Sequence, residues 1–250
     1  MTILSEPNRL SLFKDAFKAT NAEKSILLAS TFRSGSTFVA ALLNANGLNG
    51  LNLEKYNSIW ESVNASNEEF RRASLKIAES TLDGVFTSKI MWPHRNHLAK
   101  CLQLDRKHSH DFATAFPAPK WILVCREDKI RQSISFWRAK KSGRWHVKKI
   151  ETEPVIEYSF EEIRACYNEI VAYDRLWDDF FTQASIIPFR IKYEEFESNL
   201  ETQLADLLEF IGDYRTNQLP FTTRCALIKQ SDPMSENYYE RFLEDSYIYV

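Results

Sequence analysis

One segment constrains the fold more than any other: Ser25-Ile-Leu-Leu-Ala-Ser-Thr-Phe-Arg-Ser-Gly-Ser-Thr-Phe-Val39. Its apolar run, Ile26 to Ala29, is short and uninterrupted, the pattern of a strand buried on both faces within a parallel sheet. The bend Arg33-Ser34-Gly35-Ser36-Thr37 follows and is rich in small hydroxyl residues. Val39, Leu42 and Leu43 then share one helical face, and Gly47 supplies a stop. A strand, a tight polar bend and a helix start aim backbone N–H groups and the helix dipole at one point. Such a point is an anion site, most often for phosphate. The alternative for the same residues is a Ser/Thr-rich helix cap with no ligand.

The rest of the chain alternates between strand-like and helix-like segments. Gly84–Met91 and Lys120–Cys125 read as strands, the latter after the breaker run Phe116-Pro-Ala-Pro-Lys120. Ile130, Ile134 and Trp137 recur at helical spacing. A long helix is expected near Phe160–Phe181, with a core-facing stripe of Ile163, Tyr167, Ile170, Val171, Asp174, Trp177 and Phe181. Ile186–Tyr193 reads as a fourth strand, and Pro188 points to an edge or an irregularity. Leu200, Leu204, Leu207, Leu208 and Ile211 form a further helix closed by Gly212. The tail from Leu219 reads as irregular, ending in an aromatic, charged segment. This order predicts an α/β fold with a central, mainly parallel sheet. With no internal repeat and no linker-like stretch, residues 1–250 are expected to form a single domain.

Net charge is −2, which gives no reason to expect nucleic acid as a partner. An anionic ligand would need a local basic pocket. The four cysteines are widely spaced with no Cys-x-x-Cys pair, so neither a zinc nor a redox site is suggested. Cys125 and Cys166 read as buried thiols. No metal-ligand cluster is visible. No apolar run approaches membrane-spanning length and the first residues do not resemble a secretory signal, so a cytoplasmic protein is expected.

The bend at 33–37 is not a Walker A loop, because no Gly-Lys pair occurs and the cation, Arg33, precedes Ser34-Gly35. A second anchor lies in Val124–Ala139. Arg126 falls just past the carboxyl end of a strand, the edge where open α/β sheets bind ligands. Ser133 and Ser135 lie on the helix that follows. A guanidinium fork with an added hydroxyl donor suits a phosphate. The alternative is an Arg126 paired with Glu127 or Asp128 at a helix start.

Arg33-Ser-Gly-Ser-Thr37 resembles the 5′-phosphosulfate loop of sulfotransferases, which use 3′-phosphoadenosine 5′-phosphosulfate (PAPS). Arg126 with the following serines resembles their 3′-phosphate site. Taken together, the chain is similar to bacterial carbohydrate sulfotransferases of the trehalose 2-sulfotransferase family. The resemblance runs through residues 126–135, Trp137-Arg-Ala139, Gly143-Arg-Trp-His146, Ser88-Lys-Ile-Met-Trp92 and Tyr193-Glu-Glu-Phe196. Near the end it includes Lys229-Gln-Ser-Asp232, Tyr239 and Arg241, so it spans roughly Ile26 to Arg241. It implies a P-loop-like three-layer α/β fold, PAPS as cofactor without a metal, a carbohydrate or glycolipid hydroxyl as acceptor, and a homodimer. Two departures stand out. The spacing from Arg126 to Ser135 is one residue longer than the commonest cytosolic pattern, so Ser133 and Ser135 both stand as contacts for the 3′-phosphate. Gly50-Leu-Asn-Leu-Glu-Lys-Tyr56 carries Leu where the family often has Pro.

Sulfuryl transfer by in-line attack needs a base, a cation and a phosphate cradle. Glu54, by its position after the loop and helix, is the expected base. Arg33 is placed to offset charge on the bridging oxygen and the transferring group. Ser34, Gly35, Ser36 and Thr37 would hold the 5′-phosphate, and Arg126 with Ser135 the 3′-phosphate. Lys229 would close over the nucleotide. Lys89, at a strand end, and Trp145 are candidates for the acceptor side, together with Glu54, and His146 is a secondary acid/base candidate. The charge cluster Arg138–Arg144 is expected to be a solvated helix end, with attraction of an anionic acceptor as the alternative. Two other readings compete: a nucleotide-binding regulatory or scaffold protein without chemistry, and a P-loop kinase. Trehalose, a lipopolysaccharide sugar and a lipo-oligosaccharide all fit as acceptors.

Overall fold

The computed structural model describes residues 8–51, 56, 59, 64–145, 156–212, 221–225 and 233–248 of the 250. Four strands pair in parallel: β1 (Lys24–Ser30), β2 (Val85–Met91), β3 (Pro119–Cys125) and β4 (Phe189–Lys192), in the order β2-β1-β3-β4. The described helices are, in chain order, α1 (Arg9–Ala19), α2 (Ser36–Ala45), α3 (Asn67–Ala78), α4 (Trp92–Cys101), α5 (Ser109–Ala113), α6 (Lys129–Ser142), α7 (Phe160–Ala184), α8 (Tyr193–Ser198), α9 (Leu200–Ile211) and α10 (Pro233–Ile248).

The apolar run of β1 is continuous because both faces of the strand are covered. Alternate side chains point to opposite faces. Ile26 and Leu28 pack with Val39, Leu42 and Leu43 of α2 and with Leu204, Leu207 and Ile211 of α9. Leu27 and Ala29 pack on the other side with Phe13 and Phe17 of α1, Phe70 of α3, and Trp177 and Phe181 of α7. Helices, sheet and helices therefore make three layers around an all-parallel sheet, the α/β class expected. β4 lies at an edge, directly after Pro188, and its Arg190 and Lys192 are exposed. Charged side chains on an edge strand discourage further pairing. This strand is shorter than the expected 186–193, because Tyr193 already opens α8.

Three expectations are corrected. The tail is not irregular throughout: residues 233–248 form α10. Tyr238 and Phe242, one helical turn apart, complete a third apolar cluster with Ile134 and Trp137 of α6 and Ile163 and Ile170 of α7. The Tyr238 and Trp137 rings meet edge-on at 5.5 Å, and Arg131 of α6 pairs with Glu236 at 2.6 Å. The charge cluster at the end of α6 is only partly solvated. Lys140 and Lys141 pair at the surface with Glu169 and Glu162, but Arg138 is buried and donates to Ser235 Oγ of α10. Finally, Cys166 is buried but Cys125 is partly exposed. Among the described residues no helix is long and apolar enough to cross a membrane.

The strand order places the site. From β1 the chain goes to β2 on one side, and β3 lies on the other. The turns that leave β1 and β3 thus open side by side at the carboxyl edge, the topological switch point where open α/β sheets bind ligands.

Candidate active site at the carboxyl edge of the sheet

The turn after β1 contains two residues in left-handed backbone conformation, Arg33 (φ +61°) and Gly35 (φ +90°). At Gly35 the requirement for glycine is also steric: a Cβ there would lie 2.1 Å from Cδ2 of Tyr193. α2 starts immediately afterwards with Gly35 as its N-cap, and no side chain caps it. By contrast α1, α3, α6 and α7 are capped by Asn8, Ser66, Asp128 and Ser159. A Ser/Thr cap is therefore not what this segment forms. Phe38 and Val39 N–H reach back to the Gly35 carbonyl, and the amides of Ser36 and Thr37 lie in the first turn, where the helix supplies no carbonyl. Ser34 Oγ is buried and has no hydrogen-bond partner among the described residues. An unsatisfied buried hydroxyl is costly, and beside an uncapped helix start it suits an anion that accepts from it.

The turn is held from outside by α6 and α7. Trp177 Nε1 donates to the Ser30 carbonyl at 3.0 Å. Thr31 Oγ1 donates to Asp174 Oδ1 at 3.1 Å. Gln132 Nε2 donates to Thr31 Oγ1 at 3.0 Å and to the Phe32 carbonyl at 2.8 Å. The Phe32 ring stacks on Phe136 with centroids 4.9 Å apart. Arg33 leaves this support and crosses to α6: its Nε donates to Ser135 Oγ at 2.8 Å and its Nη1 to the Trp145 carbonyl at 2.7 Å. The Trp145 ring rests against Phe32 and Phe136 and is 38% exposed.

Arg126 stands after β3 with its side chain 21% exposed, Nε 3.7 Å from Glu194 Oε1 and its guanidinium 5.6 Å from the Tyr193 ring centre. The neighbours expected to compete for it are engaged elsewhere: Glu127 with Lys192 at 2.9 Å, Asp128 with Arg131 at 2.7 Å. The Glu194 carboxylate also accepts from the Glu127 and Asp128 amides at 2.9 and 3.1 Å, and Asp128 caps α6. Carboxylates thus already occupy the start of α6, and an anion at this end has the Arg126 side chain, not the helix N-terminus, to meet it.

Of the two serines, Ser133 is fully buried and donates to the Ile130 carbonyl at 2.8 Å, whereas Ser135 faces Arg33. Lys89 is not at a strand end. It lies within β2 opposite Leu28 and is 2% exposed, because β2 is covered on both faces. Glu54, His146 and Lys229 lie outside the described residues. Two residues of the site were not singled out from sequence as site residues. Tyr193, which packs on Gly35 and Arg126, stood only within Tyr193-Glu-Glu-Phe196. Asp174 sits in the core stripe of α7, where its one signal in the sequence is a carboxylate in an otherwise mostly apolar row.

A phosphate-type loop and a strand-end arginine stand side by side at a switch point of a parallel α/β sheet, an arrangement that suits an anionic ligand. The model of the Stf0 sulphotransferase family matches residues 25–245, and the chain belongs to that family. It is similar to the trehalose 2-sulfotransferase of Mycolicibacterium smegmatis, with 26% identity over 177 residues. That alignment covers 66% of this chain and 63% of the relative, so the chain matches somewhat less than two thirds of that protein's length.

Proposed function

We propose that the chain is a PAPS-dependent sulfotransferase acting on a hydroxyl of a carbohydrate or glycolipid. The observation that carries this reading is the bond from Arg33 to Ser135, which brings the two expected phosphate anchors into one site. The residues present fit a nucleotide with phosphate at both ends. Ser34 Oγ and the Ser36 and Thr37 amides suit the 5′ side, and Arg126 with Ser135 the 3′ side. Ser133 is spent on its own helix. When bound, PAPS supplies a sulfuryl group: the acceptor oxygen gains the O–S bond as the S–O bond to the 5′-phosphate breaks. Arg33 offsets the charge that develops on the departing phosphate oxygen. Glu54 takes the acceptor proton, with His146 as a secondary acid/base group and Lys229 over the nucleotide. The exposed ring of Trp145, fixed beside Arg33, is an acceptor-side surface of the kind that packs on a sugar face. Lys89 is buried within β2, and its acceptor-side role rests on the family resemblance alone. Family membership supports a homodimer as the working form.

The test is calorimetric titration, without added metal, of 3′-phosphoadenosine 5′-phosphate (PAP, the desulfated product) against AMP and ATP. A strong preference for PAP is expected. Equal or absent binding would return the chain to a generic phosphate binder, and in a parallel titration with Mg²⁺ tight binding of ATP that appears only with the metal would favour a kinase.

A further inference from the structure

We propose that Asp174 and Gln132 are positioning residues that couple the two ends of the nucleotide site, by locking the turn after β1 to the turn after β3. The inference rests on the sulfotransferase reading and goes beyond it, since neither residue belongs to the loop or to the strand-end anchor.

The bonds form a closed chain. Lys129, in the first turn of α6, donates to Asp174 Oδ2 at 2.5 Å, to the Arg126 carbonyl and, more distantly at 3.5 Å, to Gln132 Oε1. The second oxygen of Asp174 accepts from Thr31 Oγ1. Thr31 Oγ1 in turn accepts one proton of the Gln132 amide, whose other proton goes to the Phe32 carbonyl. Both carboxylate oxygens of Asp174 and both amide protons of Gln132 are therefore committed. Through them and Lys129 the backbone of Arg126, the strand-end anchor, is tied to the backbone of Phe32, the residue that precedes Arg33. Gln132 is fully buried and Thr31 is 1% exposed. The Asp174 and Lys129 side chains are 19% and 22% exposed, so water screens the pair only weakly.

In a buried polar network with every member satisfied, one bond cannot move without disturbing the next. A phosphate that seats against the turn at Ser34–Thr37 fixes Thr31 and Phe32. Gln132 and Asp174 carry that constraint to Lys129 and to the Arg126 carbonyl, and so arrange the second anchor before the 3′-phosphate reaches it. The observable is a coupling between sites: how much the 3′-phosphate adds to affinity once the 5′-phosphate is bound.

The experiment measures the ratio of AMP to PAP dissociation constants by calorimetry for the wild type, Thr31→Val and Asp174→Asn, with the melting temperature of each. Thr31→Val is close to isosteric and leaves the Asp174–Lys129 pair intact, so it decides the matter even if Asp174→Asn does not fold. The ratio is expected to fall about tenfold in both variants, within the usual span of coupling energies. A lowered melting temperature with an unchanged ratio would assign the network to stability alone and overturn the proposal, leaving the sulfotransferase reading in place. A wild type that does not prefer PAP would overturn that reading, and the proposal with it.

Discussion

Arg33 Nε donates to Ser135 Oγ at 2.8 Å, a contact between residues 102 apart in the chain. The bond runs from the turn after β1 to the second turn of α6. It holds a guanidinium, planar and permanently charged, between the phosphate-type loop and the helix that follows the strand-end arginine. The left-handed backbone of Arg33 costs about 1–2 kcal/mol for an L residue, and the bonds to Ser135 and the Trp145 carbonyl offset it.

Arg126→Ala should weaken PAP binding by one or two charge-assisted bonds, roughly 1.5–3 kcal/mol each. AMP binding should change far less. Calorimetry on the variant checks this, and an equal loss for both nucleotides would place Arg126 away from the 3′-phosphate.

Glu54→Gln should lower turnover severely while PAP affinity stays close to that of the wild type, since the amide cannot accept the acceptor proton. Initial-rate assays with PAPS and candidate sugars, alongside PAP titrations, measure the two quantities separately. Full activity in the variant would remove Glu54 as the base.

Gly35→Ala should destabilise the fold by about 2–5 kcal/mol, combining left-handed strain with overpacking against Tyr193. Gly143→Ala is the matched control. Its φ is +69° but a Cβ there meets nothing within 4 Å, so only the backbone strain of about 1–2 kcal/mol applies. Urea denaturation of the two variants gives the difference, and equal losses would mean that the Tyr193 ring yields freely.

Stability should fall as the pH rises from about 9 towards 11. Burial pushes the thiols of Cys101 and Cys125 up to about 11 from a usual value of 9.0. Between those values the unfolded chain releases thiol protons that the folded chain retains. The unfolded state then binds fewer protons, so unfolding becomes easier with rising pH. Cys101→Ala should flatten the decline, and chemical denaturation across this range measures it. An unchanged slope would show that Cys101 does not titrate there.

Legibility from sequence followed the range of the interactions. The β1 strand, its bend and the start of α2 are contiguous, so their period, small residues and glycine already specify the geometry. The position of Arg126 beyond β3 was readable for the same reason. The stripe of α7 was legible as a core face, and Trp177 and Phe181 do pack there. Asp174 in that stripe bonds instead to Thr31 and Lys129, and nothing local to α7 announces those partners. Lys89, expected at a strand end, and Arg138, expected at a solvated helix end, are both buried. A charged side chain reads as solvated until the elements that cover it are known, and here β2 is covered on both faces and α10 lies over α6.

By itself the sequence determined the parallel α/β class, the tight polar bend between β1 and α2 and the resemblance to carbohydrate sulfotransferases, because each resides in a run of neighbouring residues. Tertiary structure alone decided that Ser135 faces Arg33 while Ser133 is turned inward, that Tyr193 closes on Gly35, that Glu194 occupies the start of α6, and that Asp174 and Gln132 bind the two turns together. Those are contacts of side chains with other side chains or with backbone, brought together by strand order and helix packing, and pairing of that kind leaves no periodic trace in the chain that makes it.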